Sequence, residues 1–160
     1  MKYKIGLGYD VHQLIEGIPL WLGGIKVEHS KGSLGHSDGD ALIHAICDAM
    51  LGAANLRDIG YQFPDTDPTL KGIDSKILLK KTLELISQKG FKIGNIDSTI
   101  CLQRPKVKDL IPVMQETLAN VLQIDTEDIG IKATTTEKLG FTGREEGVSA
   151  YAVVLLYKEK

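Results

Sequence analysis

Between Lys2 and Tyr9 the odd positions Tyr3, Ile5, Leu7 and Tyr9 are apolar, while Gly6 and Gly8 stand on the even side. Strand side chains alternate with a period of two, so such a strand has one apolar face and one face of bare backbone. A bare face allows close backbone approach by whatever packs on it. If the strand stays extended, Asp10 and His12 continue that face, and their side chains point the same way and can grip one ion. His44 lies one turn into the helix expected after Ser37, and that helix packed on the strand brings a third ligand. A carboxylate and two imidazoles with one position left over form the ligand set of a catalytic zinc. Each piece alone has a bland reading, since a D-x-H triplet arises by chance and a lone helical histidine is commonly a surface or core residue. The spacing shifts the balance. His12, His36 and His44 sit in or beside two polar, glycine-punctuated segments, and only His29 looks like an ordinary hairpin residue.

A chain of 160 residues predicts a single domain over 1–160 with a substantial core. A net charge of -2 leaves no basic excess to hold nucleic acid nonspecifically. Cys47 falls in a helix pattern and Cys101 in a strand pattern, without the close spacing of a zinc ribbon or redox pair, so both read as reduced core thiols. No apolar run reaches the length of a membrane span, and strand-like alternation begins at Tyr3 with no signal or transit segment before it. A cytoplasmic protein is the expectation.

Along the chain, Ile18 to Leu22 and Ile25 to Glu28 flank Gly23-Gly24, a pair suited to the positive φ of a primed hairpin turn. Lys31 to Gly39 is short of apolar residues and carries three glycines, which predicts a mobile, unpacked loop bearing His36. Ser37 and Asp40 resemble a capping box opening a helix over Ala41 to Leu56. Asp40, His44 and Asp48 make one polar stripe on that otherwise apolar helix, and Asp48 is placed to hold the second nitrogen of His44. Arg57 to Gly72 is either a functional loop or an acidic surface turn. Asp74 to Lys89 and Asp109 to Leu122 read as amphipathic helices, the second tolerating Pro112 in its first turn. Ile93 to Gln103 and Ile129 to Thr134 read as parallel strands, and Val148 to Tyr157 as the last strand. Thr134-Thr135-Thr136-Glu137-Lys138, at the carboxyl end of a strand, could bind phosphate and a divalent ion or be a plain strand edge.

Taken together, Gly8-Tyr9-Asp10-Val11-His12, His36-Ser37-Asp38-Gly39-Asp40, Asp58-Ile59-Gly60, Phe63-Pro64-Asp65-Thr66-Asp67 and the run from Thr134 to Arg144 resemble the 2-C-methyl-D-erythritol 2,4-cyclodiphosphate synthase family. The resemblance runs from the first strand to the last. It implies conversion of 4-diphosphocytidyl-2-C-methyl-D-erythritol 2-phosphate to the cyclodiphosphate with release of CMP, a step of the non-mevalonate isoprenoid pathway. It also implies an α+β fold with a four-stranded mixed sheet, helices on one face, ferredoxin-like βαβ elements and a small β-hairpin. The sheets of a homotrimer would face a central threefold axis.

By the same resemblance Asp10, His12 and His44 hold zinc and contact substrate, and Glu137 holds magnesium or manganese with the substrate phosphates. His36 and Thr135 are the catalytic donors to developing phosphate charge. Ser37, Asp58, Ile59, Gly60, Phe63, Pro64, Asp65, Thr66 and Asp67 take the methylerythritol end. Leu102, Gln103, Arg104, Pro105, Lys106, Val107 and Lys108, with Thr134, Thr135 and Thr136, take the cytidine and phosphate end, contributed by the neighbouring subunit. Phe141 and Arg144 are implied substrate contacts and, with Tyr9, line a cavity on the threefold axis able to hold an isoprenoid diphosphate. Tyr9 stands where many members have phenylalanine, and Tyr61-Gln62 and Gln103-Arg104 occupy variable spots; none is a metal ligand. Two rival readings share some of these residues. A zinc hydrolase would use Asp48 or Asp58 as general base, and a noncatalytic trimeric isoprenoid-phosphate binder would be built around Arg144.

Overall fold

The computed structural model describes residues 2–159. Strand β1 runs Lys2–Glu16, well past the alternating stretch, and from Lys2 to Gln13 it pairs antiparallel with β7, Gly147–Lys158. On the far side of β7 lies β5, Lys92–Cys101, antiparallel to it, and beyond that β6, Ile129–Thr134, parallel to β5 as expected. The connection between these two parallel strands carries helix α4, Ile111–Leu122, with Pro112 in its first turn, where its missing N–H costs nothing. Leu20–Leu22 (β2) and Ile25–Val27 (β3) form the small hairpin, and Gly23 and Gly24 adopt φ of 60° and 78°, the positive values a primed turn demands.

The sheet has five strands, not four. The additional one, β4, is Lys31–Leu34, paired antiparallel with the end of β1 from Gln13 to Glu16. This corrects the mobile-loop reading of the segment. A Cβ on Gly32 would lie 2.1 Å from the Pro19 carbonyl oxygen, so this glycine marks close backbone approach and not freedom of movement. Beyond β4, the His36 carbonyl accepts from Gly72 N–H at 2.7 Å and Asp38 N–H donates to the Ile73 carbonyl at 3.1 Å. The His36 segment is thereby tied to the connection leading into the third helix.

Helix α1, Ala41–Ala53, packs on the bare face of β1, and the glycines explain how closely. A Cβ on Gly6 would fall 1.9 Å from the Ala49 carbonyl oxygen, and one on Gly8 1.8 Å from that of Ala45. Glycine against alanine lets the two backbones approach, which any larger pair would prevent. Leu42, Ile43, Ile46, Met50 and Leu51 are fully buried on α1, each contributing about 1.5–3 kcal/mol before the entropy of ordering is subtracted. Cys47 is buried among them, and burial pushes its thiol up to about 12, while Cys101 is only partly buried. Helix α3, Ser75–Gln88, packs on α1.

The cap of α1 is Asp40 itself, not Ser37. Its carboxylate is fully buried and accepts from Ile43 N and Gly23 N, each at 3.0 Å, and from Gly24 N at 2.7 Å. One carboxylate therefore caps the helix and fastens the β2–β3 turn to its start. Among the described residues no helix covers the opposite face of β1: Ile5 and Leu7 are 73% and 68% exposed, flanked by exposed Tyr3, Tyr9 and Val11. Among the described residues no helix is long and apolar enough to cross a membrane.

Candidate metal centre and substrate cavity

Asp10 and His12 project from β1 toward α1, where His44 meets them. Asp10 Oδ2 lies 2.8 Å from His12 Nε2 and 3.1 Å from His44 Nδ1, and the two ring nitrogens are 3.1 Å apart. A tetrahedral ion with bonds of about 2.0–2.1 Å spaces its ligand atoms at about 3.3 Å, so this triangle is only a few tenths of an ångström tighter than a metal requires. The orientation of His12 agrees: its Nδ1–H donates to the Leu34 carbonyl at 2.8 Å, leaving the Nε2 lone pair directed at the cluster. That carbonyl belongs to β4, the strand that the glycine content of its segment concealed.

Electrostatics favour a cation here. Burial alone would raise the Asp10 carboxyl, but with no ion present hydrogen bonds from the His12 and His44 rings outweigh it and hold the group at about 2, and an ion would take the place of those two protons. Burial pulls His12 down, and the Asp10 carboxylate more than compensates, so its pKa is raised. The carboxylate stays ionised and wants positive charge beside it.

The second nitrogen of His44 does not meet Asp48. Nδ1 faces β1, so Nε2, on the far edge of the ring, faces the Ser37 segment and the start of α3; it lies 2.9 Å from Ser75 Oγ and 3.0 Å from Ser37 Oγ. Asp48 instead accepts from Ile59 N–H at 2.7 Å, holding the first turn of the short helix α2, Ile59–Gln62. Burial raises the Asp48 pKa, and repulsion from Asp10 and Asp58 adds to it against that hydrogen bond.

The metal cluster opens onto a cavity of about 350 Å³ lined by His12, His36, Ser37, His44, Ile59, Gly60, Phe63 and Asp65, with Leu70, Ile73 and Leu78. Of the residues placed by resemblance at the methylerythritol end, Ser37, Ile59, Gly60, Phe63 and Asp65 line it. Asp58, Pro64, Thr66 and Asp67 do not. Asp67 serves as a support, its carbonyl accepting from His36 Nε2–H at 3.2 Å while its carboxylate caps the turn at Thr69. Leu70 and Ile73 were not singled out from the sequence because they lie in and just after the aperiodic 57–72 stretch, and Leu78 because helix-face periodicity marks it as core and gives no sign that one end of that core is open.

A second cavity, of about 170 Å³, is lined by Leu102, Gln103, Pro105, Lys106, Val107, Lys108, Ala133, Thr134 and Thr135. Arg104, Thr136 and Glu137 do not line it. Lys138 N–H donates to Gln103 Oε1 at 3.2 Å, so the threonine loop leans on the 102–108 loop, and within the threonine loop Glu137 N–H donates to Thr135 Oγ1 at 3.3 Å. Glu137 and Lys138 hold φ of 52° and 64°, a left-handed turn just after β6, and both residues are exposed.

The two cavities share no lining residue. Asp10 is level with Ala150, Ala150 with Ile100, and Ile100 with Ala133. The metal cluster and the threonine loop thus stand three strand spacings apart, about 14 Å at about 4.8 Å each. Tyr9 stacks on Tyr151 with ring centroids 4.8 Å apart. Phe141, on the short helix α5 (Gly140–Gly143), packs against Gly147, and Arg144 pairs with Glu146 at 2.7 Å.

Known proteins resemble this arrangement along its whole length. The YgbB family model matches residues 3–157. A 2-C-methyl-D-erythritol 2,4-cyclodiphosphate synthase of Bacteroides thetaiotaomicron is 70% identical, over 99% of this chain and 100% of its own. The synthase of Porphyromonas gingivalis is 64% identical over 96% of this chain and 95% of its own. Among solved structures, a bifunctional IspDF from Campylobacter jejuni superposes with a TM-score of 0.95 at 43% identity, covering 99% of this chain and 43% of that longer one. A synthase structure with CDP bound gives 0.89 at 38% identity, covering 96% of this chain and 100% of that one. A family match from the first strand to the last, with relatives this similar at full length, means that the chain belongs to the YgbB family.

Proposed function

We propose that this protein converts 4-diphosphocytidyl-2-C-methyl-D-erythritol 2-phosphate to 2-C-methyl-D-erythritol 2,4-cyclodiphosphate and CMP. The carrying observation is the Asp10–His12–His44 cluster opening onto a cavity walled by Ile59, Phe63, Leu70, Ile73 and Leu78. Zinc is the ion we assign to the cluster, through Asp10 Oδ2, His12 Nε2 and His44 Nδ1, with magnesium or manganese at Glu137. Bound there, the two ions would supply Lewis acidity at the diphosphate.

The chain's own groups do the rest by positioning. The substrate's 2-phosphate is the nucleophile; its second pKa of about 6 leaves it mostly dianionic at neutral pH, so no side chain has to take a proton from it. His36, on the cavity wall, and Thr135 donate hydrogen bonds to charge developing on the phosphates. The apolar wall keeps water from competing with the internal nucleophile. Ser37 and Asp65 bind hydroxyls of the methylerythritol. The backbone of 102–108, with Thr134 and Thr135, takes the cytidine, a reading supported by the CDP held in the related synthase.

About 14 Å of sheet between the metal cluster and the threonine loop is too far for Glu137 to act on a phosphate held at the cluster of its own chain. The exposed apolar face of β1 supplies the remedy: Tyr3, Ile5, Leu7, Tyr9 and Val11 form a patch of the kind monomers seldom leave in water. We assign it to a homotrimer that brings one chain's nucleotide loop to the next chain's metal cluster. Incubation with the cytidyl substrate tests the function. Cyclodiphosphate and CMP are the expected products; free phosphate would indicate a metal hydrolase, and unchanged substrate a binding protein.

A further inference from the structure

The hydrogen bonds beyond His44 run in a determinate direction. The Asp38 carboxylate can only accept, so Ser75 Oγ–H, 2.5 Å from Asp38 Oδ1, must be the donor of that pair. Ser75 Oγ therefore keeps its lone pairs for His44, 2.9 Å away, and the proton between them sits on His44 Nε2. With Nε2 protonated, Nδ1 turns its lone pair on Asp10 and His12. Asp38 is itself immobilised: its Oδ2 accepts from Ser75 N–H at 2.8 Å, its Oδ1 from Asp40 N–H at 3.1 Å, and its own N–H donates to Ile73 O. Ser37 Oγ also lies 3.0 Å from Nε2, but Ser37 is partly exposed on the cavity wall and can turn toward a ligand, whereas Ser75 is fully buried at the start of α3.

We propose that Ser75, oriented by Asp38, is a positioning residue that holds His44 in its metal-binding tautomer and couples the start of α3 to the metal centre. The proposal rests on the assignment of zinc to Asp10, His12 and His44. Hydrogen-bond partners of a ligating histidine typically account for about a ten- to hundredfold change in metal affinity, which sets the size of the effect.

The test is the zinc dissociation constant of the full chain, by competition with a chromophoric chelator, for the unaltered protein, His44→Ala, Ser75→Ala, Ser37→Ala and Asp38→Asn, beside melting curves of the metal-free proteins. Ser75→Ala should weaken zinc binding about ten- to hundredfold, and Ser37→Ala should weaken it less. In the zinc-loaded protein the His44 Nε2–H should give a slowly exchanging NMR resonance that Ser75→Ala abolishes. Should Ser75→Ala fail to fold, Asp38→Asn carries the decision, because an amide oxygen cannot replace both carboxylate oxygens that hold Ser75. Equal affinity in the unaltered protein and His44→Ala would sink the zinc assignment itself. Tight binding lost in His44→Ala but retained in Ser75→Ala would overturn the positioning role alone, as would a lower metal-free melting temperature with zinc affinity unchanged. A larger loss in Ser37→Ala than in Ser75→Ala would give the role to Ser37 and overturn the proposal.

Discussion

His36 shows how far a single residue's role depends on what holds it. Its motif and glycine-rich surroundings predict a donor on a mobile loop, yet its imidazole is tied to the Asp67 carbonyl and its backbone to Gly72. With Nε2–H given to Asp67, the ring's other nitrogen, Nδ1, is the one left to donate to the phosphates, in the doubly protonated form, and a donor placed in advance stabilises developing charge without reorganising during the reaction. Replacing it with alanine should therefore raise the barrier of the chemical step by about 2–4 kcal/mol while substrate binding changes little. Single-turnover kinetics at saturating substrate check this, and an unaltered rate would remove His36 from the chemistry. Asp48 is a second residue-scale case. Its folded pKa is raised above 3.8 by burial, so the ionised form is disfavoured in the fold. Stability is then greatest below the unfolded value and is lost as pH rises through the folded one. Asp48→Asn keeps an acceptor for Ile59 N–H and removes the charge, so in metal-free protein it should melt higher at pH 7. The difference should vanish below about pH 3.9, the ordinary carboxylate value. A variant that melts lower at neutral pH would contradict the assignment of burial as the dominant cause.

At the scale of elements, the spacing between β1 and α1 decides whether a metal centre exists. Asp10 and His12 are on one element and His44 on the other, and glycine opposite alanine sets how close the two come. Gly8→Ala would put a methyl group 1.8 Å from the Ala45 carbonyl oxygen, a contact relieved only by moving the helix. We expect a loss of about 1–3 kcal/mol or more in chemical denaturation, with zinc affinity falling alongside because His44 moves with its helix. Unchanged stability would mean that the two elements are not packed as described. The strand and helix were legible in the sequence because their patterns are local: period two from Tyr3 to Tyr9, and an apolar run after Asp40. Strand β4 was not, since Lys31–Leu34 has little apolar pattern of its own and is a strand only because the end of β1 offers it a partner. The same non-local logic hid the cap: Ser37 and Asp40 fit a local signature, but the turn at Gly23 and Gly24 drew Asp40 into the capping position.

For the whole molecule, the separation of the two cavities makes complementation the informative experiment. In the proposed trimer each active site combines the metal cluster of one chain with the threonine loop of another. His12→Ala and Thr135→Ala chains are each expected to be inactive, and refolding them together should restore partial activity, because some interfaces then pair two intact halves. A fully active monomer in sedimentation would refute the arrangement. The apolar odd face of β1 was readable as a pattern, but its destination was not. Alternation says that one face avoids water without saying whether the cover is a helix of the same chain or a neighbour, and here the helix took the glycine face.

Legible in short stretches of sequence were the residue types of the Asp10–His12–His44 cluster, the order of the motifs and the strand that carries Asp10 and His12, because side-chain chemistry and strand periodicity are local properties. The sequence also carried the resemblance that the family match bears out. Tertiary structure alone decided that His12 is oriented by the Leu34 carbonyl and His44 by Ser75, and that Asp48 supports α2. It also decided that the metal cluster and the threonine loop stand apart in one chain. Each of these depends on which backbone groups and side chains the fold brings within about 3 Å of one another, a distance that sequence separation does not encode.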